Sequence, residues 1–155
     1  MDANVYGLIL VDRDKDIVVA RLKERHDVLF YGCEVIRNEL RDTRRGGYQG
    51  NLRMDLLRLY DQIVKKNYAV DISVHELASS YSKASSDMGI NPDKMLSDFL
   101  IVACASLKNL DVLISNDTKS MAGAPVVAVY KIVNDIKKIR LPRFISYEQF
   151  KKEIT

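Results

Sequence analysis

The sequence predicts an α/β domain of three layers, with a mainly parallel central sheet of about five strands and helices on both faces. Three observations lead there. Val5 to Val11 (VYGLILV) is a continuous β-prone apolar run that stops at Asp12, the pattern of a strand covered on both faces. Phe99 to Ala105 (FLIVACA) carries no charge and follows a helix start at Asn91-Pro92, so that helix is apolar on every side and belongs inside a layered domain. Short apolar runs then alternate with helical patterns along the chain, which implies parallel strands joined by crossover helices.

The elements follow in order. After the first strand, Asp14-Lys15-Asp16 starts a helix that runs through Leu22. Asp27 to Gly32 (DVLFYG) reads as a second strand and Glu34 to Arg41 as a helix, on which Val35, Ile36, Glu39 and Leu40 share one face. Asp42 to Gly50 (DTRRGGYQG) is an exposed loop by its glycines and arginines. Leu52 to Lys66 regains helical periodicity, and Tyr68 to Ile72 is strand-like. Ser73 and Glu76 form a capping box for a helix that Gly89 closes. Leu110 to Ser115 is a buried strand ending in Asn116-Asp117. Val129, Ile132, Val133 and Ile136 give a helix over Pro125 to Ile136, Arg143 to Ser146 a last edge strand, and Ser146 with Gln149 the cap of a terminal helix.

At 155 residues, 47% hydrophobic and 29% charged, the chain fits one domain spanning 1–155. A net charge of +3 is too small to imply a polyanionic partner by itself. Cys33 and Cys104 sit in separate apolar stretches and read as buried free thiols, which suggests a reducing, cytoplasmic setting. No uncharged run reaches the roughly 18 residues of a membrane helix, and MDANVYG lacks a basic n-region. His26 and His75 are isolated, and neither GxSxG nor a Walker-type glycine loop occurs.

Four carboxylates stand out by position: Asp12 after the first strand, Glu39 on an inward helix face, Asp98 opening the buried helix, and Asp117 after the fourth strand. Ligands in open α/β sheets gather beyond the carboxyl ends of strands. Clustered carboxylates repel, so their convergence implies a divalent cation, Mg²⁺ or Mn²⁺, and phosphodiester hydrolysis without a protein nucleophile. Each acid also has a plainer reading: a turn residue at Asp12, a salt-bridged acid at Glu39, and turn or helix-start roles at Asp98 and Asp117.

Asp98 followed by FLIVACA, and then LISND ending at Asp117, resembles the second half of a PIN-domain nuclease. The resemblance places Asp12, Glu39, Asp98 and Asp117 as catalytic metal ligands in the family's order. It makes Asn116 the polar residue assisting the last Asp. It implies a Mg²⁺- or Mn²⁺-dependent endoribonuclease leaving 5′-phosphate and 3′-hydroxyl ends, with RNA as substrate. An antitoxin or RNA-processing partner and a homodimer are within the family's range. At the first motif the chain departs from the family, reading Asp12-Arg13-Asp14, which leaves Asp14 as an additional or alternative ligand. Arg41, Arg44, Arg45, Tyr48 and Arg53 suit a phosphate-tracking, base-stacking edge or a solvated basic loop. The alternatives are a non-catalytic PIN-like RNA-binding or scaffold domain, favoured by the altered first motif, and a receiver-like signalling domain, suggested by LILVDRDKDI.

Overall fold

A computed structural model describes residues 1–43 and 51–155. Within them the chain is mostly helical. The helices are α1 (Ala3–Val11), α2 (Lys15–Glu24), α3 (Glu34–Asp42), α4 (Leu52–Ile63), α5 (Ile72–Asp87), α6 (Leu96–Leu107), α7 (Ala124–Lys137) and α8 (Tyr147–Ile154). Four strands of three residues each complete the described structure: β1 (Tyr31–Cys33), β2 (Lys66–Tyr68), β3 (Val112–Ile114) and β4 (Arg143–Ile145). They form two separate parallel pairs, with Gly32 opposite Asn67 in one and Leu113 opposite Phe144 in the other.

This overturns the expected central sheet of about five strands with helices on both faces. The decisive segment is Val5 to Val11, which is helix α1 and not a strand. A continuous apolar run fits a buried strand and a buried helix equally well, and here the local start signal decides. Asp2 stands at the N-cap with extended backbone, and its side chain accepts from the Ala3 N–H at 2.6 Å. The helix buries Val5, Tyr6 and Ile9 and leaves Val11 exposed. The receiver-like reading loses its opening strand by the same observation.

Other boundaries move less. β1 starts at Tyr31, later than Asp27, and β3 is confined to Val112–Ile114. The expected strand over Tyr68 to Ile72 becomes β2 at 66–68, because Asp71 caps α5 by accepting from the Val74 N–H at 3.0 Å. The helix therefore opens one residue before the Ser73 of the expected capping box. Gly89 closes it at φ 76°, a left-handed conformation suited to glycine. Asn91 accepts from the Asp93 N–H, but only a 3₁₀ turn (Asp93–Met95) follows, and α6 proper begins at Leu96. Asp98 thus lies in the first turn of its helix. α7 and α8 fall where expected, with the Ser146 hydroxyl accepting from the Gln149 N–H.

α6 is the inner helix. Phe99 and Ile101 to Ser106 are all buried, and α5 packs along it. The Tyr81 ring meets Tyr130 edge-on at 4.8 Å and Phe99 at 6.2 Å. Its hydroxyl donates to Asn134 Oδ1 at 2.6 Å, and Asn134 Nδ2 donates to Ser106 Oγ at 3.1 Å. One satisfied polar chain therefore ties α5, α7 and α6 together inside an apolar core, where an unpaired partner would be costly. Both cysteines are buried free thiols. Among the described residues no helix is long and apolar enough to cross a membrane.

Gly32 marks the tightest approach in β1. A Cβ there would overlap the Tyr60 hydroxyl, which sits between Asn67 Oδ1 and the Cys33 carbonyl. Gly32→Ala is expected to lower stability by about 1–3 kcal/mol in urea unfolding, the cost of overpacking a filled interior. In a Tyr60→Phe background, which removes the obstructing oxygen, the loss should be smaller.

Candidate active site

Asp98 and Asp117 meet across one side chain. α6 carries Asp98 in its first turn, and the chain leaving β3 carries Asp117 three residues past Ile114. The Ser120 Oγ lies 2.7 Å from Asp98 Oδ2 and 2.6 Å from Asp117 Oδ2. Asp117 folds its own loop as well, since its Oδ1 accepts from the Lys119 and Ser120 N–H groups at 3.1 and 2.9 Å. The Ser120 hydroxyl first, and then these N–H groups, hold its carboxyl below the usual range. Asp98 has no such support: burial pushes its carboxyl up to about 6, opposed by the Ser120 hydroxyl and assisted by the charges of Asp2 and Asp117.

A hydroxyl has one proton to give. If Ser120 donates to the ionised Asp117, its contact with Asp98 is a good hydrogen bond only when Asp98 is protonated and donates to Ser120. The half-buried Asp98 with its raised pKa meets that condition below about pH 6. Above it, lone pairs face each other.

The same network reaches a residue that sequence reasoning missed. Asp2 is 6% exposed, and its Oδ2 accepts from the Ser115 hydroxyl at 2.8 Å, while Ser115 Oγ in turn accepts from the Asp117 N–H at 3.1 Å. Burial raises the Asp2 carboxyl, the Ser115 hydrogen bond opposes this, and Asp117 adds repulsion. The available signal was Asp2 itself: an N-cap residue directly before an apolar run, which marks a helix start. Glu39, half-buried on α3, is also raised, first by burial and then by the charges of Asp2 and Asp98 against the Ser97 hydroxyl.

Asp2, Glu39, Asp98 and Asp117 are thus one electrostatic group. Among the described residues none of the four makes a salt bridge, and no three acids stand close enough together to enclose a metal ion. Tyr130 and Tyr6 bury hydroxyls that have no protein partner among the described residues. Burial raises both phenols; the charges of Asp98 and Asp117 add to this at Tyr130, and that of Asp2 at Tyr6.

Asp12 lies in a different cluster. Its Oδ1 takes Lys151 Nζ at 2.8 Å and its Oδ2 accepts from the Tyr147 hydroxyl at 2.6 Å, both from α8. Lys151 also reaches Asp14 Oδ2 at 2.8 Å. The hydrogen bonds from Lys151 and Tyr147 lower the Asp12 carboxyl to about 2. Asp12 and Asp14 therefore fasten α8 to the α1–α2 turn, and the structure does not bring them to Asp98 and Asp117. Asn116 points away too: its side chain accepts from the Tyr147 N–H at 2.7 Å and anchors the start of α8. Arg41 pairs with the adjacent Asp42 on the surface, and Arg53 lies half-buried in the first turn of α4. Arg44, Arg45 and Tyr48 fall outside the described residues.

The donor set is all oxygen, carboxylate and hydroxyl, which suits a hard cation. Mg²⁺ is commonly held by one or two carboxylates while keeping several waters, so Asp98 and Asp117 fit it without a third ligand. No family model, curated protein or solved structure matches the chain.

The pKa shifts predict a definite pH response. Asp98 rises from 3.8 to about 6 on folding, so its neutral form contributes stability at low pH that is lost as pH rises through 4 to 6. Metal-free Asp98→Asn is expected to be more stable than the parent at pH 7.5 by about 1–2 kcal/mol, after discounting for solvent exposure, and nearly equal at pH 4. Asp12 has the opposite sign: its contribution is present above 3.8 and is lost as pH falls toward 2. Lys151→Met should lower the thermal midpoint at pH 7, with the gap to the parent closing in acid.

Proposed function

We propose that the protein is a divalent-cation-dependent phosphodiester hydrolase acting on RNA, an endoribonuclease of the PIN type, with Asp98 and Asp117 as the ligands of Mg²⁺ or Mn²⁺. The observation that carries this is the bridged pair itself: two carboxylates share one hydroxyl, two more acids add their charge, and among the described residues none of the four makes a salt bridge. Such a group is expensive at neutral pH, and a divalent cation is the compensation that its oxygen donors select. RNA as the substrate rests on the sequence resemblance.

When bound, the cation supplies a lowered pKa for water and neutralises charge developing on a phosphodiester. The protein's part follows from its own groups. Asp98 gives up its carboxyl proton as the cation arrives, so binding weakens below about pH 6. Ser120 holds the two carboxylates in register, and its hydroxyl together with the loop N–H groups of Ser120 and Lys119 favours the ionised form of Asp117. Glu39, whose carboxyl is raised by burial, adds its negative charge to the field at Asp98. Asp2 caps α1 and holds Ser115 against the Asp117 N–H, so it positions the site's floor.

A second reading is a non-catalytic RNA-binding or scaffold domain, favoured by the absence of three converging acids among the described residues. Calorimetric Mn²⁺ titration with cleavage of a labelled single-stranded RNA separates the two. The hydrolase reading expects saturable binding, and a loss of both binding and cleavage in Asp98→Asn and Asp117→Asn by a factor of about 100 or more, with Asp12→Asn retaining both. Undiminished cleavage in purified Asp98→Asn would refute it. Binding without cleavage would favour the scaffold.

A further inference from the structure

Cys33 and Cys104 are the two cysteines of the chain, they take no part in the proposed reaction, and the fold brings them together. Cys33 ends β1 and stands at the N-cap of α3, and Cys104 lies in the third turn of α6. The residues are 4% and 2% exposed and line one void of about 30 Å³, room for a molecule of about water's size. Their thiols are hydrogen-bonded to each other. The two helices run side by side in opposite directions here. Glu39, six residues beyond Cys33, meets the Ser97 hydroxyl, seven residues before Cys104. The thiol pair is therefore one point on a longer seam between α3 and α6.

The two sulfurs are not equivalent. Hydrogen bonding with Cys104 holds the Cys33 thiol below its usual range against the effect of burial, and the Val35 and Ile36 N–H groups at the start of α3 act in the same direction. Cys104 has the reverse environment, because hydrogen bonding with Cys33 and then burial push its thiol up. A sulfur that favours the thiolate, in contact with a second thiol that keeps its proton, is the pairing of an oxidisable cysteine with a resolving one. Packing alone asks for no such contact, since a buried cysteine otherwise serves as a small hydrophobe.

We propose that Cys33 and Cys104 are a reversible oxidation site, at which a small hydroperoxide converts the pair to an intramolecular disulfide that fastens α3 to α6. The Cys33 thiolate attacks the terminal oxygen of the hydroperoxide, the O–O bond breaks, and the departing oxygen takes up the proton that Cys33 gave. The Cys104 sulfur then attacks the Cys33 sulfenic acid. Its S–O bond breaks, the S–S bond forms, and hydroxide leaves with the Cys104 proton as water. With hydrogen peroxide the balance is two thiols and one peroxide to one disulfide and two waters, and a small dithiol reverses it. The void beside the sulfurs gives the side chains room to turn as they close to about 2.0 Å. A bridge from 33 to 104 closes a long loop, the case in which a cross-link restrains the unfolded chain most. None of this rests on the acid site.

The test uses the folded, reduced protein and hydrogen peroxide. After oxidation, alkylation in denaturant should find no free thiol, the monomer mass should fall by two hydrogens, and dithiothreitol should restore both thiols. The oxidised form should melt about 5–10 °C above the reduced one. In Cys104→Ser, peroxide should leave a Cys33 sulfenic acid that dimedone labels, and in Cys33→Ser the remaining thiol should label about tenfold more slowly. Two free thiols after peroxide, a disulfide joining two molecules, an oxidised form that melts no higher than the reduced one, or equal labelling of the two single variants would overturn the proposal. The first three readings come from the parent sequence, so they hold whether or not the serine variants fold.

Discussion

A serine hydroxyl carries one proton, and Ser120 stands between two carboxylates. That constraint organises the region around it. Asp117 can be satisfied by its own loop, because the turn after β3 points two N–H groups at its other oxygen. Asp98 can be satisfied only by holding a proton or by facing a cation. Burial raises the carboxyl of Asp98 against the pull of the Ser120 hydroxyl, while the same hydroxyl and the loop N–H groups lower that of Asp117.

The scaffold keeps that arrangement from relaxing. α6 is buried along most of its length, with Phe99 and Val102 fully enclosed, so the backbone that carries Asp98 is held in place. On the other side, Ser115 is pinned twice, by its N–H to the Ile145 carbonyl and by its hydroxyl to Asp2. Asp2 also begins α1 and donates its N–H to the Ile114 carbonyl, so one residue ties the start of α1, the end of β3 and the acid group together.

Of the candidate site, the bridged pair Asp98 and Asp117 is legible in the sequence, and the fold is less so. Asp98 and Asp117 were singled out because each sits where a buried apolar run meets its end, and that topology survives when the strands shrink. Glu39 was found by its place on an aliphatic helix face, and it does sense the other acids. Asp12 has the same kind of position after an apolar run, but nothing in local pattern foretold that Lys151, 139 residues away, would pair with it. VYGLILV misled because β propensity and continuous hydrophobicity describe any fully buried element, while a single cap at Asp2 settles which one forms. Once that run is helical, no strand remains to join β1 to β3 among the described residues, and the expected continuous sheet divides.

The most direct measurement is the titration of the Asp98 side-chain carboxyl by ¹³C NMR, without and with Mg²⁺. The account requires a midpoint near 6 in the metal-free protein, falling well below that when Mg²⁺ is present. A midpoint near 4 that Mg²⁺ leaves unmoved would contradict both the shared-proton arrangement and the cation site built on it.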